Sequence, residues 1–337
     1  MKKTVVIMAS LLAAFLAGCP MPANNGAESA GSTDKHSVNL ASTSSLRGIF
    51  DSQRESIKVQ FVLSGASTFE ISGAGALPAG LTMNENGLVS GSATAVTSDT
   101  TANFTVKPNV GASKDLTWVV KAPTTMKFTR DSTWKVPDGY STNTTATIQV
   151  LIAGGGGGGG TDEGHGGGGG GGQVVEANHQ VRLGSSIAIK IGAGGTGGAG
   201  VAPGNPGATT EFDTLRAVGG GGGDSTTKGV TPIGGNPGGL RGWLDDKTGG
   251  QGASGTAVTG VSGTAGRAST NQYNNMTITL GGGGASGSID GVAGSGGGGG
   301  RGQPGGANTG GGGSGGDVFR DQPSGNAGGS GVVYINY

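Results

Sequence analysis

Two unbroken runs of seven glycines, at residues 154–160 and 166–172, restrict what most of this chain can become. Glycine loses more backbone freedom on folding than any other residue and brings no side chain to bury. A glycine-rich chain is therefore ordered only where its backbone supplies the cohesion. The two runs belong to a wider pattern: of 79 glycines in 337 residues, 68 fall in residues 126–337 and 11 in residues 1–125. Aromatic residues are 4% and charged residues 12%, which leaves too few large side chains for a conventional filled core in the second stretch. It is also too little charge for the usual polar disordered tail. The strict Gly-X-Y period is absent, so collagen is excluded.

Slender extended chains can pack closely enough to exchange N–H and C=O hydrogen bonds, with Cα–H···O contacts in addition. A left-handed three-fold helix rising about 3.1 Å per residue suits this, and a seven-glycine run then makes a rod about 20 Å long. Strand-like pieces separate the runs, at 126–129, 133–137, 146–152, 173–177, 186–191, 209–215 and the closing 328–337. A flexible linker has no use for such pieces.

At the other end, Lys2 and Lys3 precede an apolar run from Val5 to Leu16. The run is shorter than the roughly 20 residues of a membrane span and reads as a secretory signal. It ends in Leu16-Ala17-Gly18-Cys19, which resembles the lipobox of bacterial lipoprotein signal peptides. The resemblance implies removal of residues 1–18 and a lipid on Cys19. Pro20 stands where aspartate marks inner-membrane retention in the enterobacterial pattern, which implies the outer membrane. Cys19 is the only cysteine, so the mature chain is expected to carry no disulfide. Residues 19–47 are small and polar with no hydrophobic period, and read as a flexible tether.

Residues 48–122 return to alternation, first at 57–63 and then at 68–71, 87–89, 103–106 and 116–120, with turn signals between them. That spacing suits a small sandwich. The segment Leu77-Pro78-Ala79-Gly80-Leu81 followed by Asn86-Gly87-Leu88-Val89-Ser90-Gly91 resembles the signature of Ig-like, cadherin-related domains of bacterial surface proteins. Cadherin relatives bind calcium through clustered acids; only scattered Asp99 and Asp115 are available here, so metal binding is not carried over. A spacer role is expected. Residues 123–125 form the hinge to residues 126–337.

The second stretch resembles the glycine-rich domain of phage tail fibres, tail-tip adhesins and some bacterial surface proteins. The likeness rests on Trp134-Lys135-Val136-Pro137, the runs after Ile152, Ile189-Lys190-Ile191-Gly192, Phe212-Asp213-Thr214-Leu215 and the closing Gly331-Val332-Val333-Tyr334-Ile335, in that order. It implies polyglycine-II-type helices packed side by side with loops at both ends. The expected fold is mostly β: an Ig-like β-sandwich, then short strands with packed polyglycine-II-type helices.

Catalytic motifs fail on inspection. Gly192-Ala193-Gly194-Gly195-Thr196-Gly197 fits G-x-G-x-x-G, but Pro203 and Pro206 forbid the helix that must follow. Residues 312–320 fit one calcium nonapeptide, an architecture that works only by tandem stacking. Asp162, Glu163 and His165 lie on one loop without a second cluster to complete a metal site, and His36 and His179 are isolated. No metal, cofactor or enzymatic activity is expected. Formal net charge is zero, with 21 basic and 21 acidic residues, which gives no basic field for nucleic acid.

Recognition is better placed on loops that interrupt the glycine. Arg241, Trp243 and Asp245 group residue types enriched at binding hot spots. Tyr273 and Asn274 have the composition of an antibody paratope. The sequence thus predicts a lipid-anchored, non-catalytic surface protein, adhesin-like, with a membrane partner through its lipid and a host-surface, glycan or matrix ligand. The second reading is a structural envelope or matrix protein that self-associates through backbone edges of its glycine-rich half. Oligomers are compatible with both.

Overall fold

The computed structural model describes residues 35–40, 57–72, 76–94, 96–137, 145–161, 166–224, 266–270, 277–287, 291–316 and 324–337. Those residues form strands, turns and extended segments, with no helix among them.

The first unit comprises β1 (Lys35–Asn39), β2 (Ile57–Val62), β3 (Phe69–Ser72), β4 (Leu81–Met83), β5 (Leu88–Gly91), β6 (Thr100–Pro108) and β7 (Lys114–Val120). They make two sheets, in the orders β1-β2-β5-β4 and β3-β6-β7, consistent with an Ig-like β-sandwich. Period-two alternation sends Val59 and Phe61, Phe104 and Val106, and Leu116, Trp118 and Val120 into one core. Trp118 is fully buried, with Phe104 edge-on at 5.1 Å and Phe61 at 6.2 Å. The sequence signature works as turn chemistry: Gly87, at φ 77°, donates to the carbonyl of Asn84 at 2.9 Å, and the side chain of Asn84 accepts from Leu88 at 2.9 Å.

One boundary differs from the sequence expectation. Residues 35–40 fall in the stretch read as tether, yet β1 pairs in parallel with β2 and brings Val38 and Leu40 into the core. The alternation Ser37-Val38-Asn39-Leu40 spans only four residues, too short to stand out in a polar stretch; pairing with a distant strand decides its fate.

The second unit contains β8 (Thr125–Phe128), β9 (Ser132–Lys135), β10 (Thr145–Ala153), β11 (Val174–Arg182), β12 (Ser186–Lys190), β13 (Thr210–Phe212), β14 (Leu215–Ala217), β15 (Arg267–Thr270), β16 (Thr277–Leu280) and β17 (Val332–Asn336). Two four-stranded sheets, β11-β10-β17-β8 and β14-β13-β12-β9, share a core that includes Trp134, Ile148, Val150, Ile152, Ile189, Phe212, Val333 and Ile335. The stretch 209–215 is not one strand but two, because Asp213 at φ 51° turns β13 back into β14. His179 is not isolated either: its Nε2 lies 2.8 Å from Asp213.

Seven of the eight glycine-rich rods continue or precede a strand. The first rod (154–160) follows β10, the second (166–172) leads into β11, the third (192–198) follows β12 and the fourth (202–208) leads into β13. The fifth (218–224) follows β14, the sixth (281–287) follows β16, the seventh (310–316) follows a run of turns and the eighth (325–331) leads into β17.

Hydrogen bonds of the first rod repeat every three residues. Amides of Gly154, Gly157 and Gly160 donate to Gln173, Gly170 and Gly167 of or beside the second rod. Those of Gly155 and Gly158 donate to Ala208 and Asn205 of the fourth, and those of Gly156 and Gly159 to Gly329 and Asn326 of the eighth. In return, the carbonyls of the first rod accept from Gly195 and Gly198 of the third, Gly220 and Gly223 of the fifth, and Gly313 and Gly316 of the seventh. The six neighbours also bond to one another in a closed ring: second to fifth, fifth to fourth, fourth to third, third to eighth, eighth to seventh and seventh to second. A Cβ placed on any residue from 154 to 160 would fall far inside the 3.4–4 Å of ordinary contact, against a neighbouring backbone. Only glycine fits at the centre.

Candidate recognition site

Rods three, five, six and seven run in the same direction as the first, away from the sheets, and rods two, four and eight return. The lattice therefore has a sheet end, where strands leave, and a far end. At the far end Thr161 and Ala202 exchange both backbone hydrogen bonds, at 3.0 and 3.1 Å. The third rod turns into the fourth there through Gly200 (φ 66°) and Val201, which is 60% exposed.

Four further segments attach to the same end. Residues 162–165 join the first rod to the second, 225–265 begin after Asp224, 288–290 begin after Gly287, and 317–323 join Gly316 to Ser324. Arg241, Trp243 and Asp245 belong to the long segment 225–265 and lie outside the described residues, as do Asp162, Glu163 and His165. Tyr273 and Asn274 also lie outside them, in 271–276 between β15 and β16. The flanking pair Thr270 and Thr277 marks the end of that hairpin distal to the sixth rod, so this segment springs from the sheet end. The two sequence-picked groups thus have different attachment points: 225–265 starts at the far end and rejoins at Gly266, and 271–276 belongs to the hairpin. Cys19 is likewise outside the described residues.

The sheet end carries a polar seam that the sequence did not announce. On the face of β10 and β17 turned away from the Trp134 core, Thr125 Oγ1 donates to Asn336 Oδ1 at 2.7 Å, and Asn336 Nδ2 donates to Gln149 Oε1 at 3.2 Å. Gln149 Nε2 donates to Glu176 Oε1 at 2.9 Å, and Arg267 approaches Glu176 at 3.9 Å. Gln149 and Asn336 are buried, and Lys127 Nζ lies 5.4 Å from the centre of the Tyr334 ring. The groups satisfy one another across four strands, which makes this a device for holding register. Its signal was present: polar residues at period two within apolar strands.

Other polar contacts are local. Asp99 accepts from Lys121 Nζ at 2.6 Å and from the amide of Ala122 at 3.0 Å, and these bonds hold its carboxyl below the ordinary value of 3.8. On the β13–β14 hairpin a hydrogen bond from Arg216 holds the Glu211 carboxyl below the ordinary glutamate value of 4.5. Asp115 accepts from Thr105 at 2.6 Å. Among the described residues no group of three or more His, Cys, Asp or Glu side chains gathers to hold a metal ion. No helix among them is long and apolar enough to cross a membrane.

These features define a class: an all-β protein in which an Ig-like unit precedes a small sandwich extended by a backbone-bonded glycine lattice. Residues 126–337 match the family model described as "Glycine-rich domain", and residues 37–121 match that described as "Putative Ig domain". The chain belongs to the glycine-rich domain family. A comparison with curated proteins gives no match.

Proposed function

We propose that this protein is a lipid-anchored, non-catalytic surface adhesin whose glycine lattice presents recognition segments at its far end. One observation carries the reading: 162–165, 288–290, 317–323 and the start of 225–265 all attach at the end of the lattice opposite the sheets. Loops on a backbone-bonded frame can vary without disturbing it. The Ig-like and glycine-rich domains are consistent with a surface or adhesin-like protein.

The rods are left-handed three-fold helices of the polyglycine II type. Their three-residue hydrogen-bond period supports this, and a rise of about 3.1 Å per residue makes each about 20 Å long. Cys19 carries the lipid in the outer membrane, the residues after it form the tether, and the Ig-like unit acts as a spacer. Arg241, Trp243 and Asp245 supply contacts to a host-surface, glycan or matrix ligand, with Trp and Arg in the role they take at hot spots.

Binding of the purified chain to immobilised glycans and matrix proteins tests this. Wild type should bind a member of the panel, and the double variant Arg241→Ala, Trp243→Ala should lose that binding while the lattice amides stay protected from exchange. Protease treatment of intact cells should release the far-end segments. If cells carrying the protein adhere no better than a deletion strain, and the purified chain binds nothing on the panel, the adhesin reading falls.

A further inference from the structure

In five of the eight rods the residues that interrupt the glycine track the rod's place in the lattice, whereas Ala285 and Ser286 of the sixth and Ser314 of the seventh are buried. The first rod, bonded to six neighbours, has none in 154–160. The second rod, buried throughout, also has none in 166–172. The third rod lies at the surface, and its exposure repeats every three residues. Gly192, Gly195 and Gly198 are buried, Gly194 and Gly197 are half-buried, and Ala193 and Thr196 are exposed.

A Cβ explains the repeat. On Gly192, Gly195 or Gly198 it would strike the carbonyl of Ala208, Asn205 or Ala202 in the fourth rod. On Gly194 or Gly197 it would strike that of Gly328 or Gly325 in the eighth. The remaining direction faces solvent, and the chain places its side chains there.

The fourth and eighth rods follow the same rule. A Cβ on Gly204 or Gly207 would strike Gly158 or Gly155, whereas Pro203, Asn205, Pro206 and Ala208 are exposed. Gly325 and Gly328 press on Gly159 and Gly156, and Ala327 is exposed.

A lattice bonded through backbone has no intrinsic limit to its width. Any outer rod made only of glycine would offer a neighbour a slot free of Cβ atoms, lined by unpaired N–H and C=O groups, as an exposed sheet edge does. The amides of Ala193, Gly194, Thr196 and Gly197 donate to no backbone group among the described residues, so the third rod has such donors to offer. Proline goes further, because it has no N–H to give. Asn205 Nδ2 also donates to Thr196 Oγ1 at 2.6 Å, tying two of the outward side chains together.

We propose that Ala193, Thr196, Pro203, Asn205, Pro206 and Ala327 terminate the lattice, keeping one lattice to one chain, and that a second copy of this chain adds where they are replaced by glycine. This goes beyond the adhesin reading and is independent of any ligand.

Sedimentation of the purified full chain tests it. Wild type should keep a constant mass as concentration rises. The triple variant Ala193→Gly, Thr196→Gly, Ala327→Gly should at least double its weight-average mass over the same range, and a control with Ala193→Ser and Thr196→Val should behave as wild type. A glycine variant that stays at wild-type mass with its first-rod amides still protected overturns the proposal, as does a wild type that itself associates with concentration. If the triple variant does not fold, Ala327→Gly alone and the pair Pro203→Gly, Pro206→Gly are judged by the same two criteria.

Discussion

The amide of Gly157 donates to the carbonyl oxygen of Gly170 at 2.8 Å, joining the middles of the two seven-glycine runs. The carbonyl of Gly157 accepts from Gly313 at 2.9 Å, and a Cβ on Gly157 would strike the backbone of Gly221. Backbone cannot swing aside as a side chain can. Gly157→Ala should therefore destabilise the second unit by about 1–3 kcal/mol or more, the usual range for overpacking. Thr196→Ala, at an exposed position, should stay within about 0.5 kcal/mol of wild type. Chemical denaturation of both variants checks the contrast.

Hydrogen exchange should reproduce the three-residue period. In the third rod, the amides of Gly195 and Gly198 donate to the first rod and should exchange slowly. Those of Ala193, Gly194, Thr196 and Gly197 should exchange fast. Uniform rates along 193–198, measured by NMR, would contradict the lattice.

Trp118 fills the core of the first unit and touches neither cluster of the second. Trp118→Ala should cost about 3–5 kcal/mol, the range for removing a buried aromatic. Two resolved calorimetric transitions are expected in wild type, with only one displaced in the variant.

Asp99 titrates below its ordinary value of 3.8 because its charged form is hydrogen-bonded to Lys121 and to the amide of Ala122. The stability it contributes is therefore complete above that value and is lost as pH falls through the lowered one. The pair is exposed, so the effect should be small. NMR titration of the Asp99 carboxyl should show the lowered midpoint, and Lys121→Met should return it toward 3.8.

Glu176 depends on Gln149, the buried amide between it and Asn336. Gln149→Leu keeps the bulk but strips both partners of a hydrogen bond, which should cost about 1–3 kcal/mol. Thermal unfolding measures it; no loss would mean water replaces the amide fully.

Strong alternation made most strands legible: 146–152 foretold β10, 186–191 foretold β12, and 328–337 contained β17, which starts only at Val332 where the glycine ends. Weak or short patterns did not. β4 is three residues long, and β15 reads Arg-Ala-Ser-Thr, whose strand character comes from pairing with β16. The neighbours of each rod were not legible, because seven identical residues carry no address. The interruptions did carry one: Ala193 and Thr196, Pro203 and Pro206, and Asn205 and Ala208 are each three apart. Arg241, Trp243, Asp245, Tyr273 and Asn274, the recognition residues expected from the sequence, lie outside the described residues, and only the attachments that flank them are placed.

Because donors in the first rod revisit the same neighbour every third residue, the architecture counts in triplets. Inserting one or two residues in a rod would put every later donor out of phase with its partner and aim it at the wrong neighbour. Inserting three into every rod would keep the phase and lengthen the whole shaft by up to about 10 Å, the span of three extended residues. Such a protein can evolve in reach by whole steps, leaving its tip and its base untouched.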